Sequence, residues 1–302
     1  MTHIKFEVVM SQAVAAPPPA DRIHWVKSVP FLAVHVVALA TLVVGPFSWP
    51  LVALALASYF VRMFGITAGY HRYFAHRSYR TSRAFQLVLA VLGATCTQKG
   101  ALWWAAHHRD HHRFSDQPED IHSPLQRGFW WGHVGWILST RHDATKLERI
   151  KDFARYPELR WLDRFHVVPP IAYASLLLVL GGAPALLWGY FVSTVFLWHG
   201  TFLVNSLAHV FGRRRYETSD GSRNSLLIAL ATLGEGWHNN HHHYQSAANQ
   251  GWFWWEIDVT WYALRALAAL GVVRDLRTPP AAVRDRGSTA PAAAAGEPSL
   301  TA

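Results

Sequence analysis

Four imidazoles stand in seven residues at His107-His108-Arg109-Asp110-His111-His112-Arg113. On a helix, His108, His111 and His112 fall at i, i+3 and i+4, one face of about one turn. Three neutral imidazoles on one face can bind a borderline metal such as iron, zinc or copper. A polar, histidine-rich loop would carry the same letters, so the stretch needs company before it means more. It has company. His238-Asn239-Asn240-His241-His242 repeats the H-x-x-H-H spacing about 130 residues later, and His71 with His76 forms a third cluster. His71 and His76 are five apart, about 140° from each other on an ideal α-helix. They share a site only if the helix ends there, or if they approach a pair of metals from two sides.

Asn205 and His209, four apart at the end of an apolar run, are a fourth element on one helical face. Polar residues at membrane depth are functional candidates by default; a polar contact between helices is the plain alternative. The candidate metal ligands are then His71, His76, His108, His111, His112, Asn205, His209, His238, His241 and His242. A single zinc takes about four ligands and a haem one or two axial ones, so this many suit two metals with about five protein groups each. A histidine sphere favours iron, copper or zinc over magnesium or calcium. Cys96 is the single cysteine. One thiol builds no intramolecular disulfide, iron–sulfur cluster or thiolate zinc site, and Cys96 reads as a small buried hydrophobe.

The elements that must position these groups are apolar. Of 302 residues 51% are hydrophobic and 16% charged, against about 25% charged in soluble domains. From Val29 to about Phe64 the chain is nearly all apolar, interrupted by Gly45-Pro46-Phe47-Ser48-Trp49-Pro50. A second apolar stretch, Val167 to about Val210, is interrupted at Gly181-Gly182-Ala183-Pro184. Each half is close to the roughly 17–20 residues a membrane helix needs. The expectation is four spans in two hairpins, about 30–46, 50–66, 167–181 and 185–209, as an all-α integral membrane fold with a helical cap carrying the di-metal site. His35 and His199 lie inside spans and read as buried, hydrogen-bonded side chains.

Neither hairpin turn holds Lys or Arg. The basic residues gather in the N-terminal arm, the 67–165 loop and the segment after 210, which places both termini and the site on the cytoplasmic side. The formal charge of +9 then belongs to an anionic membrane surface or substrate rather than to nucleic acid. Residues 84–95 are too short to span, and the tryptophan-rich stretches 128–136 and 251–258 read as interfacial helices. Residues 1–25 lack a signal-peptide core and read as a disordered arm, 26–272 as the membrane domain, and the Ala/Pro/Arg-rich 273–302 as a disordered tail.

A two-metal site above membrane helices can meet a lipid chain. Hydrolysis would need zinc and a general base, but neither Asp110 nor Glu235 stands in an H-E-x-x-H arrangement. Iron beside an apolar channel points to oxygen activation on an unactivated carbon chain.

The stretch Gly65–Arg77, with His71 and His76, resembles the first histidine box of membrane fatty acyl-CoA desaturases. His108-Arg109-Asp110-His111-His112 resembles the second, and Gly234-Glu235-Gly236-Trp237-His238-Asn239-Asn240-His241-His242 the third. Asn205 and His209 look like the family's additional ligand pair, and Arg127–Trp136 like its interfacial stretch. The likeness covers about residues 25–275 and is to the bacterial, stearoyl-CoA Δ9-type branch. It implies two irons, dioxygen and two electrons per turnover from an external donor (a ferredoxin, a rubredoxin or a cytochrome-b5-like protein with its reductase). Two neighbouring hydrogens leave a saturated acyl chain, yielding a cis double bond and two waters. It further implies that His71, His76, His108, His112 and His241 hold one iron, and Asn205, His209, His111, His238 and His242 the other. His107 and His243 flank the boxes in supporting or incidental roles.

The likeness has departures. Ala106 stands where animal members place an arginine that grips the acyl-CoA head group, and Lys99 where they place an asparagine. Lys99, Trp104, Arg141 and Phe202 are the expected substrate contacts; membrane-flanking charge is the plain reading of Lys99 and Arg141. Coenzyme A is the expected carrier, with acyl carrier protein or a glycerolipid as alternatives. Hydroxylation of a lipid or alkane is the nearest competing reaction. A metal-binding or transport protein is the competitor from another class, and would predict ionisable residues near the membrane midplane.

Overall fold

The computed structural model describes residues 22–288. Helix α1 is Trp25–Val44 and helix α2 is Trp49–Phe64, joined by a turn at Gly45–Ser48 in which Gly45 N donates to Thr41 O. Pro50 stands in the first turn of α2, where a missing N–H costs nothing. Much of α1 shows apolar side chains to the outside, among them Val36, Leu39, Val43 and Val44. That is a surface made for lipid rather than water.

Helix α2 does not stop at Phe64. It runs on as a π-helix over Gly65–Ala75, so the combined run Trp49–Ala75 has 27 residues. A third run, Val168–His209, has 42 residues. It comprises α5 (Val168–Leu186), a π-helical turn at Leu187–Val192 and α6 (Ser193–Asn205). Gly182 (φ +67°, ψ −167°) is non-helical within it, ahead of Pro184. Among the described residues three helical runs are therefore long and apolar enough to cross a membrane, where four spans were expected. The turn foreseen at Gly181–Pro184 survives as this kink.

Helix α3 (Arg83–Ala94) packs along the π-helix. Glycine makes the approach possible: a Cβ on Gly65 would lie 2.8 Å from Gly93 N, and one on Gly93 would enter the Tyr70 ring. Helix α4 (Ala101–Phe114) crosses the same π-helix. A short helix, α7 (His238–His243), and helix α8 (Val259–Ala269) complete the cap. The two-stranded ribbon of β1 (Arg80–Thr81) and β2 (Val273–Arg274) is antiparallel.

Two sequence expectations need correction here. Residues 251–258 are a turn, not an interfacial helix. Glu256 bonds the backbone N–H of Trp252 at 2.8 Å and of Phe253 at 3.3 Å, offering those groups an alternative to a helix. Trp254 is nevertheless 88% exposed, as an interfacial side chain would be. The tail expected to be disordered from 273 is structured as far as it is described. β2 pairs with β1, Arg277 N donates to Ser78 O at 3.0 Å, and Ala248 N donates to Arg277 O at 2.7 Å. Residues 289–302, and 1–21 of the N-terminal arm, lie outside the described residues; Ile23 already bridges to Ser139.

Candidate metal centre

The π-helix answers the spacing problem at His71 and His76. In a π-helix each N–H bonds five residues back, and His76 N indeed donates to His71 O at 3.1 Å. Residues five apart are then stacked on successive turns, and the two rings lie 4.8 Å apart. The end of this helix is capped from α4: Arg109 donates to Phe74 O at 2.8 Å and Ala75 O at 2.9 Å, and also to Asp152. Terminal carbonyls lack helical partners, so one side chain between His108 and His111 ties two ligand-bearing elements together. Asp110, on the same stretch, pairs with Lys146 and Arg149.

Helix α7 is held by its two asparagines. Asn239 N and Asn240 N donate to Asn224 Oδ1, Asn239 Oδ1 accepts from Arg215 N and Tyr216 N, and Asn240 Nδ2 donates to Glu256. The side chains between the histidines thus bind protein, leaving His238, His241 and His242 for the interior.

Nine histidines from these elements fall into two groups. His71, His76, His108, His112 and His241 form one; His111, His209, His238 and His242 form the other; within each group the ligand atoms lie within 4.8 Å of one another. Membership coincides with the two ligand sets implied by the resemblance, apart from Asn205, which lines the adjoining cavity. His107 and His243 stand outside both groups. His107 Nδ1 bonds Trp103 O, and His243 stacks on Tyr216 at 4.4 Å.

Neutral imidazoles alone do not explain the first group. Its Nε2 atoms meet in series, His76–His108, His108–His112 and His112–His241 at 2.9 Å and His241–His71 at 3.1 Å. A ring nitrogen carries either one proton or a lone pair, so four such contacts in a row cannot all be hydrogen bonds. Lone pairs converging on a shared cation remove the conflict. Nitrogens about 2.1 Å from one metal and at right angles lie about 3.0 Å apart. In the second group His209 and His238 meet at 3.0 Å, and His242 Nε2 is buried without a partner.

Four carboxylates buttress the ring. Nδ1 of His71 faces Glu235 at 2.5 Å, that of His111 faces Asp120 at 3.0 Å, that of His209 faces Asp116 at 2.8 Å and that of His242 faces Asp220 at 2.6 Å. Such partners set the tautomer, turn Nε2 inward and raise its basicity. Glu235 also meets Arg72, which pairs in turn with Asp258. Four histidine-bound carboxylates plus Asp258, less Arg72, leave a net charge of −4, equal and opposite to two divalent cations. The sequence reading passed over Asp116, Asp120, Asp220 and Asp258, because a buried acid and a surface acid look alike in a string of letters. His122 was also missed; it groups with His111 and Asp120.

Electrostatics agree. Burial, reinforced by neighbouring imidazoles, holds His76, His108, His112, His238 and His241 well below the usual imidazole range. Burial takes His242 to about 4 despite Asp220. Burial also opposes protonation of His111, but the Asp120 charge outweighs it and the pKa rises. Burial would raise the acids, yet the histidine partner wins at each: Asp116 falls to about 2, and Asp120, Asp220 and Glu235 are all lowered.

A cavity of about 380 Å³ leads to this centre. Its lining includes Lys27, Lys99 and Asp143, the apolar Phe31, Trp104, Trp198 and Phe202, and His108 and Asn205. Trp104 stacks on His108 at 4.9 Å. Of the expected substrate contacts, Lys99, Trp104 and Phe202 line this space; Arg141 is exposed and outside its lining. Both lysines are drawn to one carboxylate, Lys27 to Asp143 at 3.0 Å and Lys99 to Asp143 at 2.8 Å. His35 and His199, read as buried, hydrogen-bonded side chains, bond each other at 3.1 Å, and His199 bonds His133 at 2.9 Å, tying α1 to α6 and to the π-helical turn Trp131–Gly135.

Comparison with known proteins gives the same family as the histidine boxes. The fatty acid desaturase family profile matches residues 47–284. The chain is 38% identical over 268 residues to the sn-2 palmitoyl-lipid 9-desaturase of Nostoc, covering 86% of this chain and 93% of that protein. It is 37% identical over 268 residues to the Delta-9 acyl-lipid desaturase 1 of Arabidopsis thaliana, covering 88% and 87%. It is also 38% identical over 237 residues to an acyl-CoA 5-desaturase of Anemone leveillei, covering 77% and 74%. The chain belongs to the fatty acid desaturase family.

Proposed function

We propose that this protein uses dioxygen to introduce a cis Δ9 double bond into a saturated acyl chain, with His71, His76, His108, His112 and His241 holding one iron and His111, His209, His238, His242 and Asn205 the other. The observation that carries the reading is the run of Nε2 contacts that only a shared cation reconciles, at the wall of an apolar cavity. When bound, the irons supply oxygen activation and removal of unactivated hydrogens. The overall balance is one acyl CH2–CH2, one O2, two electrons and two protons in, and one CH=CH and two waters out. The electrons come from a separate protein donor.

The residues' own tasks follow. Glu235, Asp120, Asp116 and Asp220 fix the imidazoles before any metal arrives. Trp104, Phe202 and Trp198 exclude water and lay the chain along the wall that includes His108 and Asn205. Gln98, on that wall, donates to Thr201 at 3.1 Å and accepts from Trp104 at 3.4 Å, linking α4 to α6 where the chain must pass.

We take the carrier to be a glycerolipid. The Δ9 relatives named above act on lipid-bound chains by their names. Lys27 and Lys99, the cations at the cavity, share Asp143, and Ala106 offers no charge. Coenzyme A is the second reading, favoured by those same two lysines if a phosphate displaces Asp143. The kink at Gly182 supports two passes by the third run, since 42 residues reach about 63 Å against a hydrocarbon core of about 30 Å. Four passes then put both ends and the metal centre on one face, the cytoplasmic one by charge.

Purified protein in vesicles, given iron, a reducing system and labelled stearoyl chains on either carrier, tests this by chromatography of the products. The expected result is a Δ9 monoene from the lipid-bound chain and about two irons per chain. A hydroxylated product without a new double bond overturns the reaction; turnover of stearoyl-CoA alone overturns the carrier.

A further inference from the structure

Arg62 lies in α2, nine residues before His71, and is 1% exposed. No carboxylate among the described residues pairs with it. Its Nη1 donates to Thr194 Oγ1 at 2.8 Å and Thr95 O at 3.2 Å, its Nη2 to Ser193 Oγ at 2.6 Å and its Nε to Ser58 O at 3.3 Å. The rings of Tyr173 and Tyr190 face its guanidinium at 5.3 and 5.7 Å. A cation inside an apolar span without a counter-ion is expensive. A plain helix contact would be made better by a methionine or leucine, so the reason for the charge must lie in what those hydrogen bonds hold.

They hold the loop between α3 and α4. Thr95 O accepts from Arg62, Cys96 Sγ donates to Arg62 O at 3.1 Å, and Trp198 Nε1 donates to Cys96 O at 2.8 Å. Thr97 meets the hydroxyl of Tyr190 at 3.1 Å, the same ring that faces Arg62. Thr97 (φ +59°) and Lys99 (φ +64°) are both left-handed, a strained state for side-chain-bearing residues that persists only where surroundings enforce it. Thr97, Gln98 and Lys99 are cavity wall, and α4 with His108 begins two residues later.

We propose that Arg62 is a positioning residue that sets the cavity wall at 95–99 and so decides which carbons of the acyl chain lie beside His108. The proposal rests on the desaturase reading above. Arg62 touches neither substrate nor metal ligand and acts through Thr95, Cys96 and Thr97.

The test is the fatty-acid profile of a host lacking its own desaturase, expressing full-length protein as wild type, Arg62→Lys or Thr194→Val. Lysine keeps the charge but cannot span the four acceptors; valine removes one acceptor and keeps the volume. One methylene of register in an apolar pocket is worth about tenfold or more in discrimination, so the ratio of main to minor double-bond isomers should fall roughly tenfold in either variant, with iron per chain unchanged. An unchanged isomer ratio in the protein that accumulates, whatever its rate, overturns the proposal. Should Arg62→Lys fail to accumulate, Thr194→Val decides alone. A wild type that makes no double bond fails differently, because it removes the functional reading itself.

Discussion

At the scale of single residues, the buried acids behind the histidines carry more of the centre than their anonymity in the sequence suggests. Asp220 accepts from His242 Nδ1 at 2.6 Å and is itself bonded by Ser222 N at 3.0 Å. In Asp220→Asn the amide can present a donor where the imidazole also donates, which frees His242 to swap tautomers. Loss of such a partner costs about 10- to 100-fold in metal affinity. Iron titration of the purified variant should show that loss in one of the two sites while the other keeps wild-type affinity. Equal weakening of both sites would mean that Asp220 acts on the fold rather than on His242. His111→Ala should abolish turnover while the protein still enters the membrane, because no apolar run depends on that side chain; retained turnover would refute a ligand role.

At the scale of elements, the π-helix is the device that brings His71 and His76 together, and it depends on close packing against α3. A Cβ at position 93 would enter the Tyr70 ring, one residue from His71. Overpacking of this kind costs about 1–3 kcal/mol. Gly93→Ala should therefore lower the thermal midpoint and weaken iron binding together, measured by calorimetry and metal analysis; a wild-type midpoint would mean that the helices part freely. This element also marks where sequence reasoning ran out. H-x-x-H-H at 108–112 was legible because α-helical spacing puts those imidazoles on one face. The five-residue step at 71–76 was legible only as a puzzle, since no pattern of residue types announces i→i+5 bonding. The turn at 251–258 misled for a related reason: Trp254 and Trp255 do face outward, but Trp252 is buried and Glu256 captures the backbone. The order of residues 273–288 escaped because it comes from pairing with Ser78 and β1, almost two hundred residues away.

At the scale of the whole molecule, the assembly concentrates buried neutral imidazoles around four anionic buttresses, and this fixes how the metal-free protein must respond to acid. In the unfolded chain an imidazole protonates near 6.5. In the fold His76, His108, His112, His238 and His241 resist protonation to well below that, and His242 to about 4. Below about pH 6.5 the unfolded state therefore binds more protons than the folded one, and stability falls as pH falls, by up to about 1.4 kcal/mol per pH unit for each such group. His111 opposes the trend, because Asp120 raises its pKa and its stabilisation is present on the acid side. The acids do not interfere in this window. Asp116, Asp120, Asp220 and Glu235 have lowered pKa values, so their contribution is complete above about pH 4 and is lost only below it. Chelated protein in detergent should thus show a thermal midpoint that is level from pH 8 to 7 and drops steeply from about 6.5 to 5. Iron-loaded protein should hold its midpoint further into acid, because a bound cation excludes the proton from the same lone pair. Coincident profiles with and without iron would show that these imidazoles do not share the metal's site, and a midpoint that rises on acidification would show that they are not buried neutral at all.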